Sequence, residues 1–212
     1  MEQKYEDLKF LSRQYQQRIS FVSTLKVQLI NMLDQTMPGI TKILALKSRD
    51  PEKCALLLFI KRYKSFDEIQ RIGKTRFLST YATLMKKTPD RYAPKKGLEI
   101  YELARDSITT RGEDPYIWAA QDQCVDLLST AQNAADEIII QMQNIAETIP
   151  EYKVLRSMAG VGDRLGPVIL AEIGDIRRFH SAKALNSFAG NDAPPYQSGQ
   201  FESRNRHISK RG

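Results

Sequence analysis

A serine in a short polar loop near the C-terminal end is a residue whose type allows covalent chemistry. Ser198 precedes Gly199, follows the rigid pair Pro194-Pro195, and is itself followed by a basic tail. A serine hydroxyl attacks a phosphate or a carbonyl only when it is activated. No activating base is identifiable beside Ser198, because His207 is more often a solvated side chain than a base in such a setting. A serine beside a glycine is also usually a turn residue. By chemistry alone, Ser198 is therefore a weak candidate nucleophile.

A second pattern lies upstream, where two helical segments flank a Gly-Val-Gly turn at residues 160–162. This is the pattern of a helix-hairpin-helix, in which glycines allow a sharp turn and a close approach of the backbone. The amides at the start of the second helix then face a phosphate of the DNA backbone. The pattern predicts DNA contact through Gly160, Gly162 and Arg164. An ordinary helical hairpin with a glycine turn is the alternative.

Positive charge is concentrated in one stretch of the chain. The 212 residues carry 32 Lys and Arg against 25 Asp and Glu, a net charge of +7. Residues 61–96 alone hold eleven basic and three acidic residues, a net charge of +8. Such a concentration predicts a polyanionic partner, with a merely solvated basic face as the alternative. The predicted nucleic-acid contacts are Lys61, Arg62, Lys64, Lys74 and Arg76 in this stretch and Arg204, Arg206, Lys210 and Arg211 in the tail.

The composition excludes several classes of protein. Two cysteines and two histidines provide neither a disulfide framework nor a zinc site, so no metal ligands are predicted. The longest apolar run, residues 54–60, is far too short for a membrane helix. The polar N-terminus has no apolar signal core. We therefore expect a soluble cytoplasmic protein without a membrane partner.

Two long helical segments dominate the periodicity. Residues 4–34 have a heptad seam that extends for about 45 Å and is interrupted only by Arg18; it consists of Leu8, Leu11, Tyr15, Arg18, Val22, Leu25, Leu29 and Met32. Residues 114–148 have a second apolar face, formed by Leu127, Leu128, Ala131, Ala134, Ala135, Ile138, Ile139, Met142 and Ile145. The seam predicts a coiled coil, packed either on a second copy or on residues 114–148 of the same chain. We favour a homodimer.

Local signals predict the remaining helix boundaries. Met37-Pro38-Gly39 ends the first helix, and Asp50 followed by Pro51 begins another. Ser65 and Glu68 have the spacing of a capping box. Ser181 is a suitable N-cap for a helix that ends at Gly190 and buries Ala184, Leu185 and Phe188.

The predicted fold is mainly α, with long coiled-coil helices joined to a small helical domain that contains the helix-hairpin-helix. Four segments are expected. Residues 1–37 form the coiled-coil helix, 38–112 a basic helical region, 113–149 the second long helix, and 150–212 the domain with the hairpin and the serine loop. Short strands are expected only near residues 192–208.

The last third of the chain resembles a known family. Six blocks, residues 158–162, 170–175, 179–183, 188–190, 196–199 and 207–212, are similar in order and spacing to the C-terminal transposase module of insertion sequence 110 and its relatives 116 and 902. Residues 33–39, at the end of the first long helix, resemble the linker between the two catalytic halves of that family.

The resemblance implies a DNA recombinase with a split active site. Ser198 would be the nucleophile that forms a phosphoserine ester with DNA. A RuvC-like half would hold divalent metal, expected to be Mg²⁺, and some members pair a structured guide RNA with DNA. Because this sequence starts at the coiled coil, we expect a fragment without that half, without a cofactor of its own, and inactive in strand transfer alone. A non-catalytic module for nucleic-acid binding and dimerisation is the alternative, and a purely structural coiled coil ranks third.

Overall fold

A computed structural model describes residues 3–46, 53–86, 88, 94–191, 197–198 and 201–202. Over these residues the chain is mainly helical, which confirms the predicted fold class. The helices are α1 Gln3–Thr36, α2 Ile40–Ile43, α3 Ala55–Arg62, α4 Phe66–Ile72, α5 Lys74–Met85, α6 Pro94–Asp106, α7 Pro115–Ala146, α8 Glu151–Ser157, α9 Leu165–Ile173 and α10 Ala182–Phe188. A 3₁₀ turn, Ile176–Arg178, lies between α9 and α10.

Two short strands are the other regular elements described. Strand β1, Gln197–Ser198, pairs antiparallel with β2, Phe201–Glu202, so that Ser198 is opposite Phe201. Across the described helices, none is both long enough and apolar enough to cross a membrane.

The chain forms two compact units. One comprises residues 1–10 and 145–212, and the other comprises residues 11–144. The four segments expected from the sequence stay a prediction, because they follow boundaries along the chain rather than packing.

In the unit of residues 11–144, the seam of α1 packs on α7 of the same chain. The seam residues Val22, Leu25 and Leu29 share one buried cluster with Cys124, Val125, Leu128 and Ala131 of α7. At the end of α1 the buried residue is Leu33, and the predicted Met32 is only partly buried. The amide of Gln121 donates to the Thr36 hydroxyl at 2.6 Å, and the Cys124 thiol donates to the Leu25 carbonyl at 3.4 Å. Residues 22–36 thus satisfy the seam within one chain, which is one of the two packings the sequence left open.

The predicted apolar faces agree with the structure at Arg18 and differ from it at Leu127. Arg18 is exposed, in keeping with its interruption of the seam. Leu127, predicted to be buried, has 51% of its surface exposed. The buried stripe of this part of α7 follows Cys124, Leu128 and Ala131, at spacings of four and three, and Leu127 lies beside that stripe.

Helices α3 to α6 surround an aromatic core. Phe59 of α3 and Tyr63, the residue that follows α3, meet Phe77 and Tyr81 of α5, with the Phe77 and Tyr81 rings stacked at 5.8 Å. Helix α6 approaches α5 closely at Gly97, where a Cβ atom would lie 2.8 Å from the Tyr81 ring. The absence of a side chain at residue 97 therefore allows the two helices to pack.

Two predicted helix caps are present. The Ser65 hydroxyl accepts the Glu68 amide at 3.3 Å, and the Glu68 carboxylate accepts the amide of Lys64 at 2.9 Å. At the start of α10 the Ser181 hydroxyl accepts the Ala184 amide at 3.2 Å. The predicted start at Asp50 and Pro51 lies outside the described residues.

The unit of residues 1–10 and 145–212 has a smaller core, which includes Tyr5, Leu8, Ile149, Tyr152 and Leu170. The predicted buried stripe of α10 is wrong, because this helix buries no residue and Phe188 is 45% exposed.

Instead of being buried, Phe188 of α10 contacts another aromatic ring and a cation. The Phe188 ring lies 5.3 Å from that of Phe179, and the Arg178 guanidinium covers both rings at about 4.5 Å.

Candidate nucleic-acid interface

Helices α8 and α9 form the predicted hairpin, with residues 158–164 as the turn. The Val161 amide donates to the Met158 carbonyl at 3.1 Å, and Gly160 has a φ of +86°. Only glycine adopts this backbone conformation without strain, so the sequence argument holds for Gly160. It does not hold for Gly162, which has no positive φ and no atom within 4 Å of an added Cβ.

The glycine that allows the two helices to approach is Gly166. A Cβ atom at this position would lie 2.9 Å from the Tyr152 ring and 3.2 Å from Cδ of Arg156. The sequence analysis did not identify this role. Its signal was the pair Gly166-Pro167 at the start of the second helix, where a small residue and a proline are both compatible with the first turn.

The side chain of Arg156 stabilises the turn between α8 and α9. Its Nη1 donates to the Val161 carbonyl at 2.9 Å, and its Nη2 pairs with the Asp163 carboxylate. The turn is therefore held together by a cation that the sequence analysis had not selected.

The start of α9 is less open to an anion than the pattern implied. Asp163 already places a carboxylate beside the positive end of the helix dipole. The Gly166 amide donates to the Gly162 carbonyl at 2.9 Å, and Pro167 has no N–H. Arg164, a predicted contact, is half-buried. The hairpin has the expected backbone path, and its assignment as a phosphate-binding helix-hairpin-helix stays a prediction.

Three of the predicted contacts in the basic stretch have acidic partners. Nζ of Lys61 lies 3.0 Å from the Asp126 carboxylate, and Lys64 pairs with Asp122. Both carboxylates belong to α7, so these lysines connect the end of α3 to that helix. Arg62 lies 3.6 Å from the carboxylate of Glu68.

The end of α3 is also attached to α5. The Tyr63 hydroxyl lies 2.5 Å from the Thr80 hydroxyl, and burial raises the pKa of Tyr63 above its ordinary value although this hydrogen bond lowers it. The Arg62 guanidinium lies 4.8 Å above the Tyr63 ring. The cations here are therefore part of the packing between helices.

Helix α5 presents a different environment. Lys74 and Arg76 are exposed, and neither forms an ion pair among the residues that the structure describes. The sequence of α5 contains no Asp or Glu, and exposed Lys86 follows its last residue. These cations remain available to an external anion.

The structure places Ser198 only by its backbone, in β1 opposite Phe201. The tail residues Arg204, Arg206, Lys210 and Arg211, together with His207, lie outside the described residues. Within the described ranges, no group of three or more His, Cys, Asp or Glu residues comes together in a way that could hold a metal ion.

Comparison with known proteins agrees with the resemblance in the C-terminal part. Residues 152–212 match the model of the family described as Transposase IS116/IS110/IS902 family. Neither a curated protein nor a solved structure matches the chain. The match confirms the resemblance over these residues and supports a transposase-related function, which implies interaction with DNA.

Proposed function

We propose that this chain is a nucleic-acid-binding part of an insertion-sequence transposase and that it carries the serine nucleophile of the complete recombinase. The observation that carries the proposal is the family match over residues 152–212, which includes the hairpin and the loop of Ser198. The net charge of +7 and the exposed cations of α5 support a polyanionic partner.

The first test is binding of the full chain to a labelled DNA duplex and to a structured RNA, followed by fluorescence anisotropy across a salt series. We expect binding at low salt whose logarithm falls linearly with the logarithm of salt concentration, because each neutralised phosphate releases counterions. Preference for the RNA would favour guided recombination. Absence of binding to either at low salt would contradict the proposal.

The proposed chemistry is a transesterification at phosphorus. The Ser198 Oγ loses its proton and attacks a DNA phosphodiester. An Oγ–P bond forms, one P–O ester bond breaks, and the leaving oxygen takes up a proton as a strand-end hydroxyl. One strand end is thereby held as a phosphoserine ester until a hydroxyl of another strand reverses the step.

The nucleophile is tested in the complete recombinase that contains this module. Ser198→Ala should abolish both recombination and the covalent protein–DNA adduct while leaving nucleic-acid binding unchanged. Ser203→Ala, five residues away in the same part of the chain, is the matched control and should retain the adduct. An adduct that persists in Ser198→Ala would show that another residue is the nucleophile.

We also propose that the complete protein is a cytoplasmic homodimer. Apolar residues of α1 outside the seam support this proposal, because they are exposed; they include Phe10, Phe21 and Val27. Sedimentation equilibrium of the full chain should give twice the monomer mass of 24.2 kDa. A concentration-independent monomer mass would contradict it.

A further inference from the structure

We propose that the exposed face of α5 binds the phosphates of a nucleic-acid backbone, forming a contact surface in the unit of residues 11–144, outside the part matched by the transposase family. We define the α5 surface as Arg76, Ser79, Thr83 and Lys86. This inference rests on the proposed nucleic-acid function and identifies where that function is performed.

Helix geometry places the members of this surface together. Arg76, Ser79, Thr83 and Lys86 follow one another at spacings of three and four residues, and all four are exposed. Phe77, Tyr81 and Met85 form the buried side of the same helix. The line from Arg76 to Lys86 is about 15 Å long at the rise of an α-helix. A duplex strand presents a phosphate about every 3.4 Å of axis, so the surface faces several phosphates at once.

The side chains of the α5 surface can bind a phosphate, and their positive charge would repel a cationic ligand. Arg and Lys supply charge, while the Ser79 hydroxyl supplies a neutral donor of the kind that commonly contacts backbone phosphates. The Thr83 hydroxyl donates to the Ser79 carbonyl at 3.1 Å. Helix α5 contains no carboxylate that would repel a phosphate. The acids of the neighbouring helix α4 have partners, because Asp67 accepts the Thr109 hydroxyl at 2.6 Å and Glu68 lies near Arg62.

The first turn of α6 carries two further cations, although the i,i+4 spacing places Lys95 on the same face as Glu99. Lys95 and Lys96 are exposed there, and the first turn of α6 contains no acid. Gly97, the next residue, is where α6 contacts Leu78 and Tyr81 of α5. The exposed acids of α6, Glu99, Glu102 and Asp106, lie opposite its buried residues Gly97, Ile100 and Ala104, as the helical spacing requires.

The position of the cations also disfavours a role in helix stability. Lys74 and Arg76 lie in the first turn of α5, at the positive end of the helix dipole, where cations are unfavourable. Among the described residues no carboxylate pairs with either of them. A local arrangement that opposes helix stability without a compensating contact is expected where a residue has a binding role.

The test compares two double variants of the full chain that remove the same charge. Arg76→Gln with Lys86→Gln removes two unpaired cations of the α5 surface. Lys61→Gln with Arg62→Gln removes two exposed cations that already have carboxylate partners. Each is titrated with a labelled duplex across a salt series, and thermal unfolding with circular dichroism confirms that the helices are retained.

We expect the α5 double variant to reduce the magnitude of the salt slope by about 1.8, because each lost phosphate contact removes about 0.9. The control variant should change the slope by less than half as much. A second variant, Thr83→Glu, adds an acid to the exposed face and should weaken binding without removing any cation.

The outcomes separate this inference from the proposed function. An unchanged slope in the α5 variant, while the unmodified chain binds, overturns the α5 surface and leaves DNA binding to other residues. Equal losses in the two double variants overturn it as well, because general charge then explains binding. If the unmodified chain binds vesicles of phosphatidylserine and phosphatidylcholine but neither nucleic acid, both the inference and the proposed function are wrong.

Discussion

The end of α3 and the face of α5 carry the same kind of charge in the same basic stretch, yet the protein uses them differently. Lys61, Arg62 and Lys64 have the partners Asp126, Glu68 and Asp122, whereas Arg76 and Lys86 have no acidic partner among the described residues. The difference shows that the net charge of a segment does not locate a binding surface. Only the tertiary partners of each cation separate structural charge from available charge.

The α8–α9 hairpin resembles the end of α3, because its cation also has a partner within the protein. Its Arg156 bonds to Val161 and Asp163 of its own turn, so the cation closest to the predicted phosphate site stabilises the turn. The hairpin pattern and the basic stretch both predicted nucleic-acid contact from sequence. In both regions, the structure separates the residues that pack or pair within the protein from those that stay exposed to solvent.

The first prediction removes the acidic partners of the cations at the end of α3. Asp122→Asn with Asp126→Asn removes the carboxylates that pair with Lys64 and Lys61. We expect affinity for duplex DNA to rise by no more than about fivefold per released cation, because an ion pair worth at most about 1 kcal/mol cannot withhold a cation by more than that. Because the pairs are partly exposed, each contributes only about 0–1 kcal/mol to stability and the fold should persist.

The control for that experiment removes two acids that have no cation to release. Asp34→Asn with Glu137→Gln changes the net charge equally, and both side chains are exposed without an ion pair among the described residues. A gain in affinity as large as that of the α7 variant would contradict the view that Lys61 and Lys64 are held by their partners.

A second prediction concerns the packing of the hairpin. Gly166→Ala would place a methyl group 2.9 Å from the Tyr152 ring. We expect a loss of about 1–3 kcal/mol in the free energy of unfolding, because overpacking displaces side chains. Urea denaturation measures it. Gly162→Ala, where open space surrounds the new methyl group, is the control and should differ by less than about 0.5 kcal/mol.

The third prediction is that Arg76 is unfavourable for the stability of α5. Arg76→Gln removes a cation from the first turn of α5 and should raise the free energy of unfolding by about 0.3–1 kcal/mol. The same variant should bind DNA more weakly. Destabilisation together with unchanged binding would instead identify Arg76 as a structural residue.

The smallest expected effect is a pH dependence from Tyr63. Because burial raises the pKa of Tyr63 in the folded chain, the unfolded chain loses this proton first as the pH rises. Its contribution is fully present below a pH of about 10, the ordinary tyrosine value, and is lost above it. Urea denaturation between neutral and alkaline pH should show less of this decline in Tyr63→Phe than in the unmodified chain.

Much of the helical framework is predictable from local sequence. The seam predicted a helix over residues 4–34, and the structure has Gln3–Thr36; Ser65 and Ser181 both cap helices as expected. These features depend on residues three or four positions apart. Burial was harder to predict where several apolar residues are adjacent, as at Leu127, or where a ring is covered by a cation, as at Phe188.

The partners of the cations were not predictable from sequence. Lys61 and Asp126 are separated by 65 residues, and Lys64 and Asp122 by 58, so no local pattern reveals their pairing. The role of Gly166 likewise depends on a neighbour in another helix, Tyr152. For Ser198 the assignment depends on the family resemblance, because the chemistry of its neighbours alone gives no activating base.

A lysine-reactivity footprint of the full chain, with and without saturating duplex DNA, tests the central claim most directly. After brief acetylation, mass spectrometry measures the modification of each lysine. The account predicts that DNA protects Lys86 several-fold and leaves Lys61 and Lys64, held by Asp126 and Asp122, unchanged. Protection of Lys61 and Lys64 with no change at Lys86 would contradict it.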